Sequence, residues 1–386
     1  MLIKCHQPVR ELTLKGPRRV RELLTELKLL SETVLVIRND GLITEDELVA
    51  DEETIEIRPV ISGGAGAPDR AIRCKRCRAV PVVIKLPRHH TALCAACFDH
   101  YVMDQTARGI KEQRMFVREE PILVAVSGGK DSLALWELLD RMGYTTTGLH
   151  VQQGIGDYST TSETTCRAFA DAKRLPLVVY DLQKEYGGGV TEIAETTRRS
   201  ACSACGTLKR YAFNKIGREL GFNVVATGHN LDDEAARLLG NLLHWQMDYL
   251  AKQSPALPAS GSKLIRKVKP LYRLAERETA AYAVLRKIPY VVDECPMSHG
   301  ATSLQYKAVL NQLEHESPGT KQFFYLEFLR RQPLGGLGAG AATPEPELNE
   351  CSRCGEPTTG TLCGHCRLVT QMAQPGRTAH VQFDRS

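Results

Sequence analysis

The chain has 386 residues, 42% of them hydrophobic and 25% charged. That is the length of two to three average domains of about 150 residues, with a globular composition and no membrane-spanning apolar run of about 18 residues. The net charge of +5 is uneven: residues 1–66 carry 9 Lys+Arg against 12 Asp+Glu (−3), and the remainder carries 41 against 33 (+8). A mildly basic body is what a nucleic-acid binder would have, although many soluble proteins reach such values. The start, MLIKCHQPVRELTLKG, lacks the apolar core of a secretory signal, so a cytoplasmic protein is expected. Thirteen cysteines, nearly all in C-x2-C pairs, read in a reducing compartment as metal ligands or redox thiols.

Residues 1–66 read as a small mixed unit. LIKCH and ELTLKG suggest a strand hairpin, and VRELLTELKLL has apolar residues at helical spacing. TVLVIRND is a strand ending in the turn Asn39-Asp40-Gly41, and TIEIRP closes as an alternating strand. The order β-β-α-β-β, ending in Gly63-Gly64, resembles the ubiquitin-like β-grasp sulfur carriers of the ThiS/MoaD class, whose terminal Gly-Gly is activated as a thiocarboxylate. Here AGAPDR follows, so a carboxylate at Gly64 requires cleavage of the chain; SGGAGAP also reads as a plain flexible linker.

Residues 70–104 carry Cys74-x2-Cys77 and, sixteen residues on, Cys94-x2-Cys97, the spacing of one tetrahedral zinc site. So short a segment cannot bury a large core, and a metal would supply the missing folding energy. His100 could replace Cys97 as a ligand. Arg70, Arg73, Lys75, Arg76, Arg78, Lys85 and Arg88 make a basic knuckle suited to phosphate contacts or a solvated basic face. Residues 105–332 alternate strand and helix patterns (PILVAV, LALWELLDRMG, TTTGLHV, LPLVVYDL, FNVVATGH), which implies an α/β domain with a parallel sheet. Residues 333–349 are a Gly/Ala/Pro linker, residues 350–370 hold a second zinc ribbon with Cys351-x2-Cys354 and Cys363-x2-Cys366, and residues 371–386 are a tail.

The stretch Ser127-Gly128-Gly129-Lys130-Asp131-Ser132 follows a strand and opens a helix. Glycines let the backbone approach a phosphate, and the helix N-terminus offers free N–H groups. The Walker spacing is absent. The motif resembles the PP-loop of the ATP-pyrophosphatase superfamily, which cleaves ATP between its α and β phosphates and adenylates an oxygen. That resemblance implies ATP and Mg²⁺ bound by Ala125, Ser127, Gly128, Gly129, Lys130, Asp131 and Ser132, with the strand at His150 contacting adenosine. It places Gly228 of Thr227-Gly228-His229-Asn230-Leu231-Asp232-Asp233 near the nucleotide and Asp233 at the reacting phosphate, although Asp232 or Asp233 alone also reads as a helix N-cap. Val268-Lys269-Pro270-Leu271-Tyr272-Arg273 with Glu276 resembles the family's basic loop, an expected tRNA contact together with Lys263, Arg266 and Lys267.

Cys202-x2-Cys205 and the distant Cys295 fit either a redox pair with a persulfide or a 4Fe–4S cluster on three thiolates with one iron open. C-x2-C-x3-K puts Lys209 at the same site if a helix starts there. In this order, the motifs resemble the TtuA-type tRNA 2-thiolation enzymes (TtcA-like PP-loop proteins) over residues 70–370. The resemblance implies an ATP-dependent tRNA uridine 2-sulfurtransferase, with a T-loop ribothymidine favoured over a wobble uridine. It further implies two Zn²⁺ ions, a 4Fe–4S cluster on Cys202, Cys205 and Cys295, Lys209 and Asp233 as catalytic helpers, and a homodimer. A sulfur carrier, fused or in trans, and its activating enzyme are the implied partners. The competing readings are cytidine 2-thiolation, a lysidine-type ligation that needs no sulfur, and a non-enzymatic zinc-ribbon RNA adaptor, against which the intact SGGKDS argues.

Overall fold

The structure is a computed structural model that describes residues 1–6, 9–29, 31, 34–59, 73–257, 264–298, 302–332 and 348–372. Gly63, Gly64, Arg70, Lys263, most of the linker and the tail lie outside the described residues. The N-terminal unit has strands β1 (Leu2–His6), β2 (Val9–Thr13), β3 (Arg18–Arg19), β4 (Val34–Arg38), β5 (Gly41–Ile43), β6 (Leu48–Val49) and β7 (Thr54–Pro59), with helix α1 (Val20–Glu26) between β3 and β4. Five strands form a mixed sheet in the order β2-β1-β7-β4-β5, in which β1 and β7 run parallel at the centre with Ile3 opposite Ile55. The strand period of two explains how VLVI in β4 is used. Val34 and Val36 pack on Val20, Leu23 and Leu24 of α1, whereas Leu35 and Ile37 point the other way into the core of the main body.

The first cysteine unit follows, with β8 (Ile84–Leu86) and β9 (Thr91–Leu93) paired antiparallel and α2 (Ala95–Glu112) starting at its second knuckle. The central sheet contains β10 (Ile122–Ala125), β11 (Thr146–Gln152), β12 (Leu177–Asp181), β13 (Val224–Thr227), β14 (Ala256–Leu257) and β15 (Arg266–Val268). Around it lie α3 (Lys130–Arg141), α4 (Gly156–Lys173), α5 (Leu182–Tyr186), α6 (Val190–Thr197), α7 (Ala201–Glu219), α8 (Leu231–Leu243), α9 (Met247–Lys252) and α10 (Glu276–Leu285). The order is β12-β11-β10-β13-β15-β14, parallel except for the edge strand β14. Side-chain alternation in β10 divides the two faces: Ile122 and Val124 join Leu133, Trp136 and Ala280, while Leu123 joins Leu208 and Ala212 of α7. The chain leaves β10 toward β11 on one side and returns to β13 on the other. The crevice beyond the carboxyl end of β10 is therefore the topological switch point, where open α/β sheets bind ligands.

Two further helices, α11 (Thr302–Glu316) and α12 (Thr320–Arg331), pack on α8. The chain ends in β16 (Asn349–Glu350), β17 (Pro357–Thr358) and α13 (Gly364–Met372). That last unit is anchored to α7: Glu356 binds Asn214 and Arg218, and His365 stacks flat on Tyr211 with ring centroids 3.5 Å apart while bonding the Tyr186 hydroxyl at 2.8 Å.

The N-terminal unit is docked rather than tethered. Besides Leu35, Ile37 and Leu42 in the main core, Lys85 of β8 bridges to Glu45 at 3.0 Å and Asp46 at 2.6 Å. In Lys85→Glu three acids would meet where a cation now joins two. We expect hydrogen–deuterium exchange in β4 and β5 to rise while exchange in β10 and β13 stays unchanged; equal protection of β4 in both proteins would count against this docking contact.

Candidate active site

The loop Ser127–Gly129 links β10 to α3 because its residues cross-brace one another. The Ser132 hydroxyl accepts from the Ser127 amide at 3.1 Å, donates to the Gly129 carbonyl at 3.0 Å and lies 3.2 Å from the Ser127 hydroxyl. Gly128 has φ of +81°, and a Cβ there would stand 2.9 Å from the Ser162 carbonyl, so only glycine fits. The free amides of the first turn of α3 face the crevice end of the sheet, an arrangement that suits phosphate.

The second motif packs against the first. A Cβ at Gly228 would lie 2.8 Å from the Asp131 carbonyl carbon and the Ser132 amide. Asn230 caps α8, its side chain accepting from the Asp232 and Asp233 amides, and Asp233 closes the capping box by accepting from the Asn230 amide at 3.0 Å. The N-cap is thus Asn230, not either aspartate. The two carboxylates differ in setting. Asp232 is buried and held by Lys321 at 2.6 Å and by the Glu276 amide at 2.9 Å, whereas Asp233 is partly exposed and paired with Lys307 at 2.6 Å. Burial pushes the Asp233 carboxyl up, but Lys307 and His229 outweigh it and hold the group below the usual carboxylate range.

His150 on β11 is buried, with Nδ1 2.9 Å from the Val126 carbonyl, which fixes Nδ1 as the donor and leaves Nε2 as the acceptor. Nε2 and the Ser162 hydroxyl are buried without a partner among the described residues. Burial holds His150 below the usual histidine range, so it is neutral.

Lys307 and Lys321 escaped the sequence reading. Lys307 bridges Asp233 and, at 3.0 Å, Glu276, which in turn binds Lys130 at 2.8 Å. Lys307 and Asn311 share the inward face of α11 with Leu310. Nothing in a lone sequence separates such a lysine from a solvated one, because the acids it meets lie far away along the chain.

Cys202 and Cys205 lie on the first turns of α7, capped by Ser200, and Cys295 precedes the short turn Pro296–Ser298 that packs on α7. The Cys202 thiol donates to the Met297 carbonyl at 3.3 Å and that of Cys205 to Gln153 Oε1 at 3.4 Å. Burial pushes the Cys295 thiol up, and it feels Cys205, Lys209 and Cys202, so all four groups share one microenvironment. Lys209, one turn beyond Cys205 on the same helix face, makes no ion pair among the described residues and also acts electrostatically on His150.

The other two cysteine sets are tighter. In each, the four sulfurs lie within 4.8 Å of one another: Cys74, Cys77, Cys94 and Cys97, and Cys351, Cys354, Cys363 and Cys366. Close pairs at 3.5 Å (Cys77–Cys94) and 3.6 Å (Cys354–Cys363) approach the ~3.8 Å edge of a tetrahedron with ~2.3 Å metal–sulfur bonds. Burial pushes the Cys74 thiol up, but the amides of Cys94, Cys77 and Arg76 bring it down to about 6, favouring thiolate. His100 is not part of this set; it is exposed and pairs with Asp104 at 3.4 Å. Cys202, Cys205 and Cys295 do not reach this mutual spacing.

Three cations of the expected tRNA-binding loop are paired with acids: Lys269 is buried against Glu234 at 2.7 Å, Arg273 against Glu112 at 2.8 Å, and the half-exposed Arg266 pairs with Glu120. Lys267 makes no ion pair among the described residues. In the first knuckle, Arg88 is likewise buried on Glu278 at 2.6 Å, Lys85 serves the N-terminal unit and Arg76 pairs with Asp104, leaving Arg73, Lys75 and Arg78 exposed and without ion pairs among the described residues.

Residues 95–301 match the family described as PP-loop domain. A tRNA-5-methyluridine(54) 2-sulfurtransferase of Thermus thermophilus is 49% identical over 278 residues, 71% of this chain and 85% of the relative. One of the same name from Pyrococcus horikoshii is 41% identical over 77% of this chain and 93% of the relative. The chain belongs to the PP-loop tRNA 2-thiolation family. In fold, the chain is similar to a solved structure, the U34-tRNA thiolase NcsA from Methanococcus maripaludis with its 4Fe–4S cluster, with a TM-score of 0.65 at 20% identity, covering 81% of this chain and 99% of that one.

Two variants probe this geometry. Gly228→Ala should displace the Asp131–Ser132 backbone, costing about 1–3 kcal/mol as an overpacked site, and weaken ATP binding in calorimetry more than it lowers the unfolding midpoint. Lys307→Met leaves Asp233 and Glu276 without their shared cation and should lower stability by about 3–5 kcal/mol, read from urea unfolding.

Proposed function

We propose that the chain is an ATP-dependent tRNA uridine 2-sulfurtransferase whose target is the T-loop 5-methyluridine, and that its N-terminal unit, once hydrolysis of the Gly64–Ala65 peptide bond frees the Gly64 carboxylate, is a ubiquitin-like β-grasp sulfur carrier. The observation that carries the enzyme reading is the convergence of the PP-loop, the three thiols and Lys209 at the carboxyl edge of one parallel sheet. The target follows from the names of the Thermus and Pyrococcus relatives. The boundaries follow the expected units: carrier 1–66, first ribbon 70–104, catalytic domain 105–332 and second ribbon 350–370.

In the proposed reaction the uridine C2 oxygen attacks the α-phosphorus of ATP and pyrophosphate leaves. Ser127, Ser132, Lys130 and the loop amides would hold the phosphates, and Asp233 would hold Mg²⁺. Buried, neutral His150 lies on the strand that faces the adenosine. A sulfur nucleophile then adds to C2, and AMP departs with the former C2 oxygen. Activation is required because an amide-like oxygen is a poor leaving group. Cys202, Cys205 and Cys295 would hold a 4Fe–4S cluster, whose open iron supplies a soft site for sulfide. Lys209 beside them favours the anionic forms of sulfur and adenylate. The two four-cysteine sets hold structural zinc.

The carrier reading is supported by the mixed five-stranded sheet crossed by one helix, and by where its last strand ends. Arg58 of β7 is bound by Glu56 and lies beside Tyr290. The next residue, Val291, donates its amide to the Gly128 carbonyl at 2.9 Å. Gly64 is five positions beyond Pro59 in the chain, a span that cannot exceed ~16–18 Å. Relatives named cytoplasmic tRNA 2-thiolation protein 1 support a cytoplasmic site of action, and a homodimer and an activating enzyme complete the proposal.

Anaerobically reconstituted protein should release AMP and pyrophosphate only with tRNA, and nucleoside mass spectrometry should show 2-thio-5-methyluridine. Cys202→Ala, Cys205→Ala and Cys295→Ala should each abolish the broad charge-transfer absorption and the product; thiolation by all three would remove the cluster assignment. Metal analysis should give two zinc ions per chain, with Cys351→Ser losing one. Gly64→Ala should stop thiolation supported by the activating enzyme but not by inorganic sulfide; unchanged turnover with both donors would leave the N-terminal unit a structural part.

A further inference from the structure

Because Lys269, Arg273 and Arg266 of the expected basic loop are paired with acids, other cations are needed for the tRNA, and one surface beside the thiols has the required chemistry. Arg210 lies one turn beyond Gly206 on α7, with its guanidinium 3.1 Å from where a Gly206 Cβ would stand. Arg237 is exposed on α8. Neither forms an ion pair among the described residues. Arg210 is exposed, and Arg237, Cys205 and Tyr249 each act on it electrostatically, so all three lie within electrostatic reach of its guanidinium.

The same corner carries two exposed aromatic rings. Trp245 turns outward between α8 and α9 with φ of +50° and is 75% exposed; Tyr249, on α9, is 66% exposed. The corner is braced beneath by His244 bonded to Tyr306 at 3.0 Å and by the Met247 amide on the Trp245 carbonyl at 2.9 Å. In sequence, Asp248 falls between Trp245 and Tyr249, and Lys252 follows on the same helix. A non-glycine residue held at positive φ with a large apolar side chain in water is costly twice over, in backbone and in hydration.

We propose that Trp245 and Tyr249, flanked by Arg210 and Arg237, form a stacking platform for unpaired bases of the tRNA, which presents the loop uridine to Cys205 and its neighbours. The inference rests on the tRNA reading above. Unpaired guanidinium groups fit phosphate, and aromatic faces accept any base. A second copy of the chain fits less well, because a two-fold interface through this patch would place arginines against arginines.

The sequence provides its own reporter. There are two tryptophans, and Trp136 is fully buried, so a change in tryptophan emission on ligand addition reports Trp245. Titration of the full-length protein with unmodified tRNA transcript, without ATP, should quench that emission. Trp245→Ala should weaken tRNA binding about tenfold, Trp245→Phe should restore most of it, and Arg237→Glu should lower the salt dependence of binding by about one counterion. Zinc content and the unfolding midpoint should stay at wild-type values in all three variants. Wild-type protein that binds tRNA without quenching would overturn the platform and leave the sulfurtransferase reading standing. Absence of any tRNA binding would end both. Unchanged tRNA affinity in Trp245→Ala, with a dimer-to-monomer shift in sedimentation, would assign the corner to a second copy of the chain instead.

Discussion

Three buried or half-buried cations fix the geometry of this protein. Lys130 and Lys307 share Glu276, Lys307 also holds Asp233, and Lys321 holds Asp232. Through them α3, α8, α10, α11 and α12 meet at one point just behind the PP-loop. Taking so many charges out of water is expensive, and a matched apolar set would often be no less stable. What the ion chain supplies is position. Each carboxylate has a cation on one side and a backbone amide or helix start on another, so the first turn of α3 and the first turn of α8 cannot slide apart independently. Asp131 adds to this, bound by Thr279 and by Asn230. The phosphate loop and the second motif are one rigid object for this reason.

The small cysteine units extend that rigidity outward. Neither buries enough apolar surface to hold itself. The first feeds directly into α2, which is clamped by Asp99 on Arg141 through two bonds of 2.6 and 2.7 Å. The second is pinned to α7, the helix that carries Cys202, Cys205 and Lys209. Metal loading of the second unit would thereby be coupled mechanically to the helix that bears Cys202 and Cys205, since metal and fold form together in such units.

Much of this was legible in the sequence. Strand–turn–helix at SGGKDS, the four C-x2-C pairs and the alternation of strands with helices are local patterns, set by a few neighbouring residues, and the structure has them where they were read. What was not legible depends on long-range partners. Lys269 and Arg273 look like RNA contacts in a basic run, yet both are neutralised by acids from α8 and α2. Asp232 and Asp233 are adjacent and chemically identical, and only the arrival of Lys321 from α12 separates the locked one from the accessible one. Lys307 occupies a place where an apolar residue would have been expected. The run VLVI in β4 did carry a signal: four consecutive apolar residues in a strand need two covered faces, and α1 covers only one.

That second face has a consequence for how the chain could work. With Leu35, Ile37 and Leu42 buried in the main body, the tethered N-terminal unit sits at an effective concentration in the millimolar range beside its own core. Under the proposed carrier role, cutting the chain after Gly64 would end that tether. What would then hold the freed fragment is this one strand face and the Lys85 bridges. An activating enzyme would have to compete with that face, so release rather than encounter would set the pace.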